Sequence, residues 1–189
     1  MTISAHKLYG PKGVGAVFQR RGLSLPSLVR GGHQEKERRP GTENTAGIVG
    51  FGVAAAAAQV ELSSVMSRIG ALRDRLEAAA LAIPGARRFG AREPRVANTF
   101  NVGFEGVEGE LVLINLDLAG VSVSTGAACT SGSVDPSPVI LSLGVPRRIA
   151  LQATRFSLGT ANTAEEIDAV AAMLPVIVAR VRSVDAVAG

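Results

Sequence analysis

Ser4-Ala5-His6-Lys7-Leu8-Tyr9-Gly10-Pro11-Lys12-Gly13 is the stretch around which this chain of 189 residues is organised. Its first part, Ser4–Lys7, places a hydroxyl, an imidazole and a primary amine within four residues, just before a Gly-Pro turn. A cofactor that carries an aldehyde requires such an amine, because the amine forms a Schiff base while polar neighbours hold the phosphate. The spacing alone favours a simpler alternative, a surface lysine beside a turn.

A second stretch holds the only cysteine of the chain, within Ser124-Thr125-Gly126-Ala127-Ala128-Cys129-Thr130-Ser131-Gly132. Its glycine, serine and threonine residues are typical of an exposed loop, where a thiolate can act as a nucleophile. A lone cysteine is also compatible with a small buried hydrophobic position, but these neighbours argue against that alternative. One cysteine excludes an intrachain disulfide and fits a reducing compartment.

With two further motifs, these stretches resemble the cysteine desulfurases, pyridoxal-phosphate enzymes of the aminotransferase-like fold. The four matching motifs are Ser4–Gly13, Gly31–Asn44, Ser124–Gly132 and Arg155–Gly159, in the order of the family. The resemblance covers essentially the whole chain but only the C-terminal half of such an enzyme. Met1 is therefore predicted to be an internal start, the start of a gene fragment, or the start of one half of a split enzyme.

Composition indicates a folded protein and disfavours several classes. Hydrophobic residues make up 47% of the chain and charged residues 19%, which is enough apolar material for a core. The net charge is +4, but the arginines are scattered, so direct nucleic-acid binding is not expected. No signal peptide is visible, and the longest apolar run, Val53–Ala58, is far shorter than the roughly 20 residues of a membrane span. We predict a soluble cytoplasmic protein without a membrane segment or a metal site.

Hydrophobic periodicity predicts an α/β fold. Residues 45 to about 83 form a long helix, with a possible interruption near Gly70 and an end at Pro84. From Val96 onward the pattern is strand, helix, strand, helix, strand, helix, which is typical of a two-layer α/β domain. The expected apolar faces of the long helix and of the helix after Gly109 are Leu62, Val65, Met66, Ile69, Leu72 and Leu76, and Leu111, Val112, Ile114, Leu116 and Leu118.

Residues typical of helix ends refine the predicted boundaries of the helices. Ser137 and Pro138 form a helix start with proline at the first position, although many relatives have histidine where Pro138 stands. Thr163–Glu166 has the pattern of a capping box that opens the last helix. Pro175 is expected to kink that helix. Val121–Ser124 is predicted to be a short strand that leads into the cysteine loop.

The resemblance implies a fragment of fold type I of the pyridoxal-phosphate enzymes. Residues 1–45 would be the C-terminal remnant of the large cofactor-binding domain. Residues 46–84 would be the linking helix, and residues 85–189 the small C-terminal α/β domain. The cofactor implied is pyridoxal 5'-phosphate.

The resemblance also assigns cofactor-binding roles. Lys7 matches the catalytic lysine that forms the Schiff base and moves protons. Ser4 and His6 match positions that contact the cofactor phosphate. Thr42 matches a threonine on a loop that crosses a dimer interface to the partner's cofactor phosphate. Without the resemblance, residues 31–44 would simply be a solvated connector.

Two more roles follow for the substrate. Cys129 matches the catalytic thiol, which takes the sulfur of L-cysteine as a persulfide and releases L-alanine. Arg155 matches the arginine that binds the substrate carboxylate, a task suited to its planar fork. An ordinary surface ion pair is the alternative for Arg155. Relatives often follow this last motif with another arginine, where this chain has Thr160.

The implied partners are L-cysteine, a sulfur-acceptor protein, and either a second copy of the chain or a complementing N-terminal chain. The acceptor would be an iron–sulfur scaffold or a sulfur carrier for tRNA thiolation, and selenocysteine stays open as a substrate. Without the other half, the chain is expected to be weakly active or inactive. Two alternatives remain, a non-catalytic module that accepts a persulfide and binds partners, and a truncated gene product.

Overall fold

A computed structural model describes residues 1–90, 94–125 and 135–188 of the chain. The fold is a mixture of helices and antiparallel strands, as the α/β prediction requires. It divides into two compact units, Met1–Ser63 and Ser64–Gly189. Here they are named unit 1 and unit 2.

Unit 1 begins with a small hairpin. Strand β1 (Thr2–Ser4) pairs antiparallel with β2 (Gly15–Val17), and a 3-10 turn (Ala5–Leu8) follows β1. Gly15 must be glycine here, since an added Cβ would lie 2.6 Å from the carbonyl oxygen of Ile3. The sequence of Val14–Phe18, after the Gly-Pro turn, predicts a short strand, and β2 confirms it.

The polar segment before the long helix contains one turn, α1 (Gln34–Glu37). The backbone at residues 35–37 is left-handed, with φ between 51° and 65°, so this turn does not propagate as an α-helix. Asn44 then caps the next helix, because its Oδ1 accepts a hydrogen bond from the Gly47 amide at 3.0 Å.

Helix α2 (Thr45–Leu81) is continuous, so the interruption expected near Gly70 is wrong. A single glycine lowers helix propensity by only about 1 kcal/mol, and its neighbour Ile69 is buried in the core. Leu76 is also buried, whereas Leu62 is 57% exposed and does not belong to the apolar face. By length and composition alone α2 could cross a membrane, with a mean hydropathy of 1.5 over 18 residues.

Unit 2 contains a three-stranded antiparallel sheet in the order β3-β4-β5. The strands are β3 (Ala86–Phe89), β4 (Thr99–Phe104) and β5 (Thr154–Ser157). Of the three strands predicted from Val96 onward, two match β4 and β5, while β3 was missed because its short sequence, Ala-Arg-Arg-Phe, has no apolar alternation. The strand expected over Val121–Ser124 is wrong, since this segment forms only an isolated bridge between Ser124 and Arg155.

Four helices complete unit 2: α3 (Gly109–Leu118), α4 (Pro138–Ser142), α5 (Arg147–Ala150) and α6 (Ala164–Ala188). The capping box is confirmed, as the Glu166 amide donates to Thr163 Oγ1 at 3.3 Å and the Thr163 amide donates to Glu166 Oε2 at 3.1 Å. Helix α6 includes Pro175. Pro138 occupies the first turn of α4 as predicted, but the Ser137 side chain makes no capping hydrogen bond.

The main core lies on one face of the sheet. Phe100 and Phe156 are cross-strand partners whose rings stack 4.9 Å apart, and residues of α2, α3 and α6 pack against this face. On α3, Val112 and Leu116 are fully buried, because four residues separate them along a helix. Ile114 and Leu118 are 44% and 82% exposed, so their predicted inward placement is wrong.

Candidate active site

Lys7 lies in the 3-10 turn that follows β1. The Ala5 amide donates to the Val14 carbonyl at 3.1 Å, and the Gly10 amide donates to the Ala5 carbonyl at 2.9 Å. These bonds fix the backbone on both sides of Lys7, while the Lys7 side chain is exposed. The turn therefore presents a primary amine on a defined piece of backbone.

Small residues hold this turn against helix α2 within unit 1. Ala5 is completely buried, and a Cβ added at Gly10 would lie 3.2 Å from the Cβ of Ala54. Pro11 packs in the same way on Gly50, whose added Cβ would lie 3.0 Å from Pro11 Cγ. Contacts this short leave no room for larger side chains, so the position of the lysine turn depends on the glycines.

The predicted phosphate-binding residues occupy two separate segments of unit 1. Ser4 is half-buried at the end of β1, and His6 is exposed in the same turn as Lys7. Thr42 is exposed on another loop, which is braced by Arg39: its Nη1 donates to the carbonyls of Gly41 at 3.0 Å and Thr42 at 3.1 Å. The structure thus groups Ser4, His6 and Lys7, and places Thr42 elsewhere in the unit.

Arg155 lies in β5 of unit 2, where the chain segment before the cysteine loop joins the sheet. The Ser124 amide donates to the Arg155 carbonyl at 3.1 Å, and the Arg155 amide donates to the Ser124 carbonyl at 2.6 Å. Residues 126–134, which include Cys129, lie outside the described residues. The strand that carries the predicted carboxylate-binding arginine therefore anchors the entry to the predicted nucleophile loop.

On its other side, Arg155 is the register partner of Asn101 in β4. Direct antiparallel partners project to the same face of a sheet, so Asn101, Arg155 and Ser124 form one polar row across three segments. Arg155 Nε and Asn101 Oδ1 are both buried, and among the described residues neither has a hydrogen-bond partner. The sequence interpretation missed Asn101, although alternation along β4 places it on the face opposite Phe100 and Val102.

The loop after the last motif is held by an arginine from α2. Arg68 donates through Nη2 to the Thr160 carbonyl at 2.6 Å and through Nη1 to the Asn162 carbonyl at 2.9 Å. Thr160 stands where relatives often carry arginine. In this chain a guanidinium therefore reaches the same loop from a distant sequence position.

An ion cluster around Glu77 was also not predicted from the sequence. Arg88 Nε and Arg95 Nη1 each donate to Glu77 Oε1 at 2.8 Å, and Arg95 Nη2 donates to Oε2 at 2.5 Å. Burial raises the pKa of Glu77, but the hydrogen bonds and charges of Arg95 and Arg88 outweigh it, so the net pKa is lowered. No spacing rule finds this cluster, because its members come from a helix, a strand and a loop.

The donor set fits pyridoxal phosphate in part. Lys7 offers an amine for its aldehyde, and the hydroxyl of Ser4 and the imidazole of His6 are suitable partners for its phosphate. Among the described residues, no three histidine, cysteine, aspartate or glutamate side chains are grouped so that they could hold a metal ion.

Comparisons with known proteins identify the family of the chain. Residues 1–170 match the family aminotransferase class-V. A cysteine desulfurase of Gluconacetobacter diazotrophicus is 47% identical over 183 residues, which cover 96% of this chain and 46% of that protein. The cysteine desulfurase NifS of Azotobacter vinelandii is 46% identical over 185 residues, which cover 97% of this chain and 46% of that protein.

A solved NifS-like protein has the same fold over the region compared. Its TM-score is 0.83 at 35% sequence identity, and the match covers 94% of this chain and 46% of that one. The chain thus spans about half the length of the relatives it matches. The fold is that of the type I pyridoxal-phosphate enzymes, and this expectation from the sequence is confirmed.

Proposed function

The chain belongs to the aminotransferase class-V family, and from this premise we propose that it supplies one half of a cysteine desulfurase. Such an enzyme converts L-cysteine to L-alanine and leaves the sulfur as a persulfide, here on Cys129. The observation that carries the proposal is the pair of backbone hydrogen bonds between Arg155 and Ser124. They tie a carboxylate-binding side chain to the entry of the loop that contains the only thiol.

Each residue has a distinct task in this proposal. Pyridoxal phosphate, when bound, draws electrons away from the substrate carbon. Lys7 would hold the cofactor aldehyde through Nζ, and its amine would carry protons to and from the substrate. Ser4 and His6 hold the phosphate, and Thr42 reaches the phosphate of a second site across a dimer interface. Arg155 binds the substrate carboxylate.

Cys129 performs the sulfur transfer as a thiolate. Its Sγ attacks the sulfur atom of the bound L-cysteine, so a sulfur–sulfur bond forms as the substrate carbon–sulfur bond breaks. The electron pair of the broken bond remains with the substrate carbon, which takes up a proton and leaves as L-alanine. The persulfide then passes to the thiol of an acceptor protein, either an iron–sulfur scaffold or a carrier for tRNA thiolation.

The exposed apolar side chains of unit 1 are evidence for a protein partner. The first half of α2 exposes four large apolar side chains, with exposures between 47% and 84%: Ile48, Val49, Val53 and Val60. A group of large apolar side chains exposed along one helix is typical of an interaction surface. We propose that the part of the enzyme that this chain does not span covers it, as a separate chain or together with a second copy. A cytoplasmic location, expected from the sequence, is part of this proposal.

The test combines the chain with the missing part of its Gluconacetobacter relative. The two pieces are co-expressed and co-purified with pyridoxal phosphate, then treated with borohydride to fix any cofactor bound to lysine. We expect a pyridoxyl mass on Lys7 and release of L-alanine from L-cysteine. Lys7→Ala should abolish both, whereas Lys12→Ala, a change of the exposed lysine in the Gly-Pro turn that follows, should abolish neither.

Absence of the lysine adduct and of L-alanine from a co-purified pair would contradict the proposal. Sulfur taken up by Cys129 from a persulfide donor, without any L-alanine, would instead favour the non-catalytic module. A chain that does not co-purify with its complement under any condition would favour the truncated gene product.

A further inference from the structure

Arg155 Nε and Asn101 Oδ1 are buried polar atoms of two residues that face each other on the sheet of unit 2. Asn101 and Arg155 are direct register partners of β4 and β5. Arg155 Nε can only donate a hydrogen bond, and Asn101 Oδ1 can only accept one. Both atoms are shielded from solvent, and among the described residues neither is bonded. A buried polar group without a partner destabilises the folded state, and a hydrogen bond between these two atoms would remove that cost.

The residue that faces Asn101 on β3 has an apolar side chain and does not compete for a hydrogen bond to Asn101 Oδ1. On the strand at its other side, the register partner of Asn101 is Phe89. The Phe89 ring leans toward Gly103, where an added Cβ would lie 2.7 Å from Phe89 Cε2. The ring therefore lies over the glycine, and Arg155 is the adjacent polar side chain on this face. Opposed residues of an antiparallel pair have Cβ atoms about 4.5–5.5 Å apart, which is within the combined reach of an arginine and an asparagine side chain.

We propose that Asn101 is a positioning residue for Arg155: its Oδ1 accepts the Nε hydrogen and fixes the guanidinium on the sheet. The inference rests on the proposed function, because it assumes that Arg155 binds a substrate carboxylate. With Nε held by Asn101, the two Nη groups form the free edge, and the carboxylate binds end-on to that edge. Asn101 touches neither substrate nor cofactor in this arrangement, and its role is to orient the fork.

The direct test follows the Nε hydrogen of Arg155 by nuclear magnetic resonance in the chain of 189 residues. Arg155→Lys assigns the signal by removing it. We expect slow hydrogen exchange in the wild type and at least about tenfold faster exchange in Asn101→Leu, which keeps the bulk but removes the acceptor. Asn101→Asp keeps an acceptor at the same place and should keep the exchange slow. Ser157→Ala, two residues along the same face of β5, is the matched control and should change nothing.

A kinetic readout separates this role from a structural one. In the co-purified enzyme, Asn101→Leu should raise the KM for L-cysteine about tenfold and change kcat far less, because only the orientation of Arg155 is lost. Asn101→Asp should also raise KM, since a carboxylate beside Arg155 competes with that of the substrate. If Asn101→Leu does not fold, Asn101→Ser, which is too short to reach Nε, replaces it.

The outcomes distinguish this inference from the proposed function. Equal exchange of the Arg155 Nε hydrogen in wild type and Asn101→Leu overturns the positioning role, whatever the activity. An exchange difference in a pair that never desulfurates L-cysteine supports the positioning role and contradicts the proposed function. A fall in kcat with unchanged KM in Asn101→Leu also overturns the inference, because it would place Asn101 in the chemistry.

Discussion

Two arginine-containing regions of unit 2 satisfy their polar groups in different ways. Around Glu77, two guanidinium groups donate three hydrogen bonds to one buried carboxylate. Around Arg155, the Nε atom and the neighbouring Asn101 Oδ1 are buried without a partner among the described residues. A protein interior normally pairs such groups, so an unpaired one requires an explanation. Since Arg88 and Arg95 bind the Glu77 carboxylate and Arg155 binds no described carboxylate, we infer that the first region serves the fold and the second serves a ligand.

The Glu77 region should be the more sensitive to mutation when stability is measured. Glu77→Ala leaves Arg95, whose side chain is 14% exposed, and Arg88 without their carboxylate. Removal of one partner from a buried pair is strongly destabilising, and we expect the free energy of unfolding to fall by about 3 kcal/mol. Urea unfolding of the chain measures this change.

Asp168 provides the control for this prediction. It pairs with Arg75 at 2.7 Å, and the two side chains are 49% and 55% exposed. Exposed pairs contribute about 1 kcal/mol or less, so Asp168→Ala should have little effect. Equal losses in Glu77→Ala and Asp168→Ala would show that the buried cluster has no special weight.

The Arg155 region should show the opposite behaviour. Arg155→Ala should weaken the binding of L-cysteine by about 2–4 kcal/mol in the co-purified enzyme, because a carboxylate would lose its charged partner. The unfolding free energy should fall by less than in Glu77→Ala, because at most one hydrogen bond, from Arg155 Nε to Asn101 Oδ1, is lost. Steady-state kinetics and urea unfolding of the same preparation measure the two quantities. A large loss of stability with unchanged KM would remove the distinction between the regions.

The pH dependence of the unfolding free energy gives a further test of the Glu77 region. The pKa of Glu77 is lowered from its ordinary value of 4.5, because bonds to Arg95 and Arg88 outweigh the effect of burial. A lowered pKa in the folded state contributes stability above pH 4.5, and this contribution is lost as the pH falls through the folded value. We expect Glu77→Gln to be less stable than wild type at pH 7 and to lose less on acidification. Urea titrations at several pH values test this, and parallel curves for the two proteins would contradict it.

Thr154 tests whether every unpaired polar atom in this sheet is functional. Its side chain is fully buried beside Arg155 in sequence, and its Oγ1 has no hydrogen-bond partner among the described residues. Thr154 projects to the core face, so Thr154→Val should stabilise the chain by about 1 kcal/mol and leave KM unchanged. Thermal unfolding and kinetics of this variant are the measurements. A rise in KM would show that the two faces of β5 are not independent.

Sequence patterns predicted the elements whose signals are local. The end of α2 before Pro84, the capping box at Thr163, and strands β4 and β5 all follow from short-range rules. The interruption at Gly70 and the strand at Val121–Ser124 were wrong because packing and pairing depend on residues far away in the chain. The inward placement of Leu118 was wrong because only two positions separate it from the buried Leu116, which puts the two residues on different sides of the helix.

The candidate site shows the same limit. Motif resemblance supplied Lys7, Cys129 and Arg155, and the structure adds the backbone pairing of Arg155 with Ser124. No local signal connects Asn101 with Arg155, because the two positions become neighbours only through the register of β4 and β5. The Glu77 cluster could not be predicted for the same reason. Its arginines come after helix α2 in the sequence, and only the folded chain brings them back to Glu77.

The transfer of sulfur from L-cysteine to Cys129 tests the central claim most directly. Isotopically labelled L-cysteine is given to the co-purified enzyme with pyridoxal phosphate, and mass spectrometry locates the label. We predict one labelled sulfur atom on Cys129 in the wild type and in Lys12→Ala, and none in Lys7→Ala. Labelled sulfur on Cys129 in Lys7→Ala, or none on Cys129 in an assembled wild type, would contradict the account.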